Sequence, residues 1–144
     1  MTPDVNVLIA ASRSDHAHHR AAYAWLKDAI AACEVGASLK LMPMVASGFL
    51  RLATNARIFV QPTPMDAAMA FLDALLAAPG VEMPDQGGEW PILRQLCVAN
   101  KLVANNIPDA WLAASVLRHS EHLVTFDANF RKLLLPADVT VLKA

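Results

Sequence analysis

Apolar positions along this chain recur mostly at the helical period, and short apolar runs fall between the helical stretches. Residues 1 to 4 read as a brief strand ending on Asp4. The run VNVLIAA at 5 to 11 reads as a short buried helix or turn. From 16 to 33, Ala22, Trp25, Leu26, Ala29 and Cys33 make one apolar helix face. A strand is predicted around 39 to 42, then a helix from about 44 to 59 with Val45, Phe49, Leu52 and Ala53 inward. Thr63-Pro64-Met65-Asp66 is a helix start: Thr63 is placed to cap, Pro64 suits the first turn, and Asp66 stands where a capping-box acid would. Met65, Ala68, Met69, Leu72, Leu75 and Leu76 then keep the helical period until Pro79-Gly80 stops it. A strand near 81 to 83 precedes a helix at 89 to 99, with Ile92, Leu93, Leu96 and Cys97 inward. Pro108 opens a further helix through about 118. Strands at 122 to 125 and 139 to 142 close the chain, with a helical turn at 129 to 133 between them.

Short strands alternating with helices predict an α/β fold, a parallel sheet covered on both faces. No repeat, linker or composition break interrupts the pattern, so residues 1–144 read as one domain. In such sheets ligands bind beyond the carboxyl ends of the strands, near a switch in strand order.

The composition, 56% hydrophobic and 17% charged, supports a well-buried core and excludes a disordered polymer. A net charge of −1 lacks the footprint of a constitutive nucleic-acid binder. Contact with RNA would need a local basic rim, bound cations or a partner chain. Cys33 and Cys97 are far apart and have no C-x-x-C neighbour, so both read as free thiols. Asp4 interrupts any basic-then-apolar leader, and no apolar run approaches the ~20 residues that span a bilayer. A cytoplasmic protein without membrane contact is the expectation.

The carboxylates change the picture. Asp4 ends the first strand, Asp127 follows the fourth, and Asp109 stands in the first turn of a helix. The three converge on one sheet edge if the first and fourth strands are neighbours. Taken singly, each also reads as a turn residue, a cap or a first-turn acid suited to free N–H groups. Together in a partly desolvated cleft they would repel one another. A divalent cation relieves that conflict, and Mg²⁺ binds through few carboxylates while keeping several waters. Two such ions can hold the attacking water and the leaving oxygen of a phosphodiester. Asn6 and Thr125 lie beside these acids and could orient a carboxylate, or simply satisfy local backbone. Arg51 could take a phosphate or a partner's carboxylate, or face solvent. His16, His18 and His19 read as a solvated helix start at the cleft rim, Trp90 and Trp111 as packing residues.

DVNVLIAA at 4 to 11, GFLRLATN at 48 to 55, PDAWLAA at 108 to 114 and LVTFDANF at 123 to 130 resemble, in order and spacing, the PIN-domain toxins of VapC type. The resemblance covers nearly the whole chain. It implies a PIN-like three-layer sandwich around a five-stranded parallel sheet, and a Mg²⁺-dependent endoribonuclease in which Mn²⁺ can substitute. It also implies a homodimer with a cognate VapB-type antitoxin, and metal-binding acids at Asp4, Asp109 and Asp127. One departure stands out. The family usually carries a glutamate on the helix of the G-F-L-R motif, whereas the matching position here is Ala46, or Gly48 in another register. Asn129 stands where some relatives have a further acid. The alternative function is therefore a PIN-like domain of weak or absent activity that binds RNA or antitoxin only. A phospho-receiver is a third class. It would need paired acids after the first strand, where only Asp4 stands, and an Asp closing the third, where Asp85 lies two residues beyond Met83.

Overall fold

A computed structural model describes residues 1–144, every residue of the chain. Strand β1 (Thr2–Pro3) pairs in parallel with β4 (Leu123–Thr125), and β4 with β5 (Val139–Val141). Strand β2 (Leu39–Lys40) pairs in parallel with β3 (Val81–Glu82). Six helices complete the fold: α1 (Val5–Ser12), α2 (His19–Cys33), α3 (Pro43–Ala53), α4 (Met65–Ala77), α5 (Trp90–Ala99) and α6 (Asn106–Arg118). None is long and apolar enough to cross a membrane.

The five expected strands form, but as a three-stranded sheet of order β1-β4-β5 and a two-stranded sheet of order β2-β3. The seam has a chemical cause. Strand β1 gives its Thr2 and Asp4 N–H groups to the β4 side, on His122 and Val124 carbonyls. Toward β2 it accepts one backbone bond, Lys40 N to Met1 O at 2.8 Å. The next donor in a parallel ladder would be the N–H of Pro3, which proline lacks. The Thr2 hydroxyl takes its place, donating to the Lys40 carbonyl at 2.6 Å.

Two helices are unusually interior. In α1 five of eight residues are buried, and in α6 Ala110 and the run Leu112 to Val116 are buried. Helices apolar on more than one face must be packed on more than one side. Alanine lets the neighbours come close. Phe49, Val45 and Leu123 join the main core; Leu93, Ala110 and Ala114 form a small second cluster between α5 and α6.

Several boundaries differ from expectation. Helix α2 begins at His19 rather than 16, because the preceding turn is tied down by Arg13. Its guanidinium donates to both Asp15 oxygens, to the Gln61 carbonyl and to the Thr63 hydroxyl, and lies 3.9 Å over the Phe59 ring. Thr63 is thus engaged by Arg13, and the N-cap of α4 falls on Pro64 with no side-chain cap. Helix α3 stops at Ala53 because Thr54 bonds back to the Leu50 carbonyl and Asn55 accepts from the Arg57 amide. Helix α6 starts at Asn106, so Pro108 lies inside its first turn, where no intrahelical N–H is required. Both cysteines are free, Cys33 buried and Cys97 half-buried.

Candidate functional site

Pairing of β1 with β4 brings the ends of both strands together, and the helix starts follow. Asp4 is the N-cap of α1 and accepts from the Val5 amide at 2.7 Å. Its second oxygen accepts the Thr125 hydroxyl at 2.7 Å. Thr125 closes β4 and is wholly buried. Its oxygen also accepts from the Asn6 amide at 3.2 Å and from the Asp127 N–H at 3.0 Å, which fills its bonding capacity. Asn6 in turn accepts from the Phe126 N–H, and Asp127 caps the following 3₁₀ turn by accepting from the Asn129 N–H at 2.8 Å.

Asp4, Asp109 and Asp127 line one cleft of about 320 Å³, together with Asn6, Met44, Gly48, Arg51, Pro108 and Trp111. A second cavity of about 280 Å³ shares Asp109 and adds Asn106, Asn129 and Lys132. The two cavities share Asp109, with Arg51 lining the first and Lys132 the second. Arg51 belongs to none of the chain's ion pairs. Of the residues singled out by sequence, Asp4, Asp109, Asp127, Asn6 and Arg51 line the main cleft, Thr125 buttresses Asp4 from below, and Asn129 lines the adjoining cavity.

The electrostatics follow from this crowding. Burial pushes the Asp4 carboxyl above its ordinary value, against the pull of Thr125 and Val5, and the Asp127 charge adds to the rise. Burial raises Asp109 as well, and the charges of Asp4 and Asp127 raise it further. Helix N-termini favour anions, yet at both sites desolvation and mutual repulsion prevail. No three acids, histidines or cysteines stand close enough together to hold a metal ion as they are placed. What the cleft offers instead is an all-oxygen set of hard donors around open space. That fits a hydrated divalent ion better than a tightly caged transition metal.

His16, His18 and His19 are half-buried. His18 meets the Phe126 ring edge-on at 4.7 Å, and His19 pairs with the Ala10 carbonyl through Nδ1. None lines the acidic cleft. Trp90, 63% exposed, departs from its expected packing role, whereas Trp111, 36% exposed, is partly packed and partly open to the cleft.

Sequence reasoning missed Glu89 except as a helix start. It is 1% exposed, at the N-cap of α5. Its carboxylate accepts the Trp111 indole N–H and the Gly87 N–H, with Arg118 3.7 Å away. Burial pushes this carboxyl up, but those donors and that charge together hold it below the ordinary glutamate value. The Gly-Gly-Glu run was the only available signal: a Cβ on Gly88 would lie 2.2 Å from the Arg118 guanidinium carbon.

The PIN domain family model matches residues 1–133. The chain is 38% identical to ribonuclease VapC31 of Mycobacterium tuberculosis over 131 residues, covering 90% of this chain and 89% of that protein. It is 37% identical to ribonuclease VapC25 of the same organism over 131 residues, with the same coverage. Among solved structures it is similar to VapBC2 from Rickettsia felis bound to a promoter DNA fragment, with a TM-score of 0.68 at 15% identity, covering 99% of this chain and 98% of that one. It is also similar to M. tuberculosis VapC20, a sarcin-ricin-loop-cleaving toxin, with a TM-score of 0.65 at 15% identity, covering 91% and 92%. These two likenesses concern the fold.

Proposed function

The chain belongs to the PIN-domain family, and from that premise we propose that it is the toxin component of a type II toxin–antitoxin system, an endoribonuclease dependent on a divalent cation. The observation that carries the reading is the convergence of Asp4, Asp109 and Asp127 on one cleft. The relatives of which the chain covers 89% are ribonucleases.

Asp4, Asp109 and Asp127 would hold Mg²⁺, with Mn²⁺ as a substitute. When bound, such an ion activates water and neutralises charge on the phosphodiester. The rest belongs to the chain. Thr125 and the Val5 amide fix the plane of the Asp4 carboxylate. Asn6 ties the start of α1 to the turn carrying Asp127. Arg51 in the cleft and Lys132 in the adjoining cavity would take phosphates flanking the scissile one. A chain of net charge −1 then binds RNA through a local cationic rim.

The partners follow the same reading: a VapB-type antitoxin whose acidic tail could reach Arg51, RNA as substrate, and a second copy of this chain. Residues 1–144 act as one domain. Digestion of total RNA with the purified chain tests the proposal. Cleavage in Mn²⁺ or Mg²⁺, none in EDTA, and none by Asp109→Asn at any metal concentration is the expected pattern. Equal cleavage by wild type and Asp109→Asn would overturn the assignment.

A further inference from the structure

Trp111 is 36% exposed and lines the acidic cleft. It is nevertheless fixed. Its N–H, which water could satisfy at the surface, is committed to Glu89, a carboxylate 1% exposed. Burying that carboxylate costs desolvation, and the fold offsets it with the Gly87 N–H donated to both oxygens at 3.0 and 2.9 Å and with the nearby Arg118 guanidinium. The Arg118 guanidinium lies over Gly88, in the space that a Cβ there would enter. The result is an indole anchored at its N–H edge, with 36% of the residue's surface exposed and part of it lining the cleft. It stands two residues after Asp109 on the same helix, among the apolar side chains of Met44, Pro108 and Leu112.

We propose that Trp111, held in place by the buried Glu89, is a stacking platform for one nucleobase beside the scissile phosphodiester. This rests on the ribonuclease reading and adds a binding seat and a positioning residue to it. The partner chemistry is an unpaired base in single-stranded RNA. Stacking of a base on an aromatic ring contributes about tenfold or more in affinity per base and tolerates different sequences. An indole already locked in orientation forfeits less rotamer entropy on binding than a free one. Trp111 is the group that touches the base. Glu89 acts through it.

The test uses the full chain. Cleavage sites in total RNA are mapped first, and an RNA 9-mer centred on one site is synthesised together with nine versions carrying a single abasic nucleotide. Binding is measured in the Asp109→Asn background so that the RNA survives. One abasic position should weaken binding about tenfold. In Trp111→Ala every oligonucleotide should bind about as weakly as that one, and the abasic position should lose its effect. Trp111→Phe keeps a ring without the N–H and should retain most of the affinity. Glu89→Gln should raise KM with kcat nearly unchanged and blur the abasic profile, which a merely structural loss of folded protein would not do. Should Trp111→Ala fail to fold, quenching of intrinsic fluorescence by the intact 9-mer, absent in Trp111→Phe, reads the same contact. A flat abasic profile from a chain that cleaves RNA overturns the platform and leaves the ribonuclease standing. Failure of the wild-type chain to cleave total RNA overturns both.

Discussion

The Thr125 hydroxyl donates to the Asp4 carboxylate at 2.7 Å, joining the end of β4 to the end of β1 through a single buried oxygen. The same oxygen accepts from Asn6 and from the Asp127 N–H. Thr125→Val keeps the shape and removes all three bonds. Two donors are then left without an acceptor, at a cost of roughly 1–3 kcal/mol. Thermal melts should show the loss, and RNA cleavage should fall because Asp4 is no longer held. Thr125→Ser should recover most of both. A Thr125→Val protein with wild-type melting temperature and rate would mean that the hydroxyl is dispensable.

The raised Asp4 and Asp109 set the sign of the pH response. Between the unfolded value, 3.8, and the higher folded values, the folded chain holds more protons than the unfolded one. Stability without metal therefore falls as pH rises through that window and is restored below it. Asp4→Asn and Asp109→Asn each remove their own share of the dependence, and Asp109→Asn, which breaks no hydrogen bond, should melt higher than wild type at neutral pH in EDTA. Added Mn²⁺ should raise the wild-type melting temperature and leave the Asn variants unmoved. Denaturant titrations at several pH values check this; a wild-type stability rising through the same window would refute it.

Much of this was legible from sequence because hydrophobic period and strand-end acids are local signals. VNVLIAA could only be buried, and Asp4, Asp109 and Asp127 stand at element ends where parallel sheets bind ligands. The split in the sheet was legible in principle, since Pro3 has no N–H, but its partner in β2 had to be known first. The role of Glu89 was not legible. It depends on Trp111 and Arg118, 22 and 29 residues on, meeting it across α5 and α6. The Arg13 brace on Gln61 and Thr63 is equally non-local.

The surface of α4 bears on oligomeric state. Met65 and Met69 are 52% and 40% exposed and lie one turn apart. Phe71 on the same helix is half-buried and stacks on Phe49 at 5.1 Å, so it belongs to the core. If the Met65–Met69 face is the contact between two copies, the Met65→Lys, Met69→Lys double variant should be monomeric by light scattering at micromolar concentration while keeping its melting temperature within a few degrees. A wild-type chain that is already monomeric at that concentration would count against a homodimer.

The absent glutamate can be restored, and the structure decides where. Met44, Val45, Gly48, Arg51 and Leu52 line the cleft from α3 at helical spacing. Ala46 lies off that stripe, 8% exposed, inside the main core cluster. Gly48 is on the stripe but has no room, since a Cβ there would lie 2.9 Å from Val5 Cγ2. The sequence-based expectation that Ala46 or Gly48 is the place for the acid thus meets burial at one and a clash at the other. Met44 is half-buried, faces the cleft and sits in the first turn of α3, where a carboxylate is favoured by the free N–H groups. Glutamate is close to methionine in length. A fourth carboxylate attracts a divalent ion by several kcal/mol at an effective dielectric near 20. Its desolvation offsets most of this, leaving about 1–2 kcal/mol, or roughly tenfold in affinity. Calorimetric titration with Mg²⁺ should therefore show tighter binding by Met44→Glu, and cleavage should persist at lower Mg²⁺. Ala46→Glu should lower the melting temperature and leave metal affinity where it was. Tighter binding by Ala46→Glu than by Met44→Glu would show that α3 turns a different face to the ion.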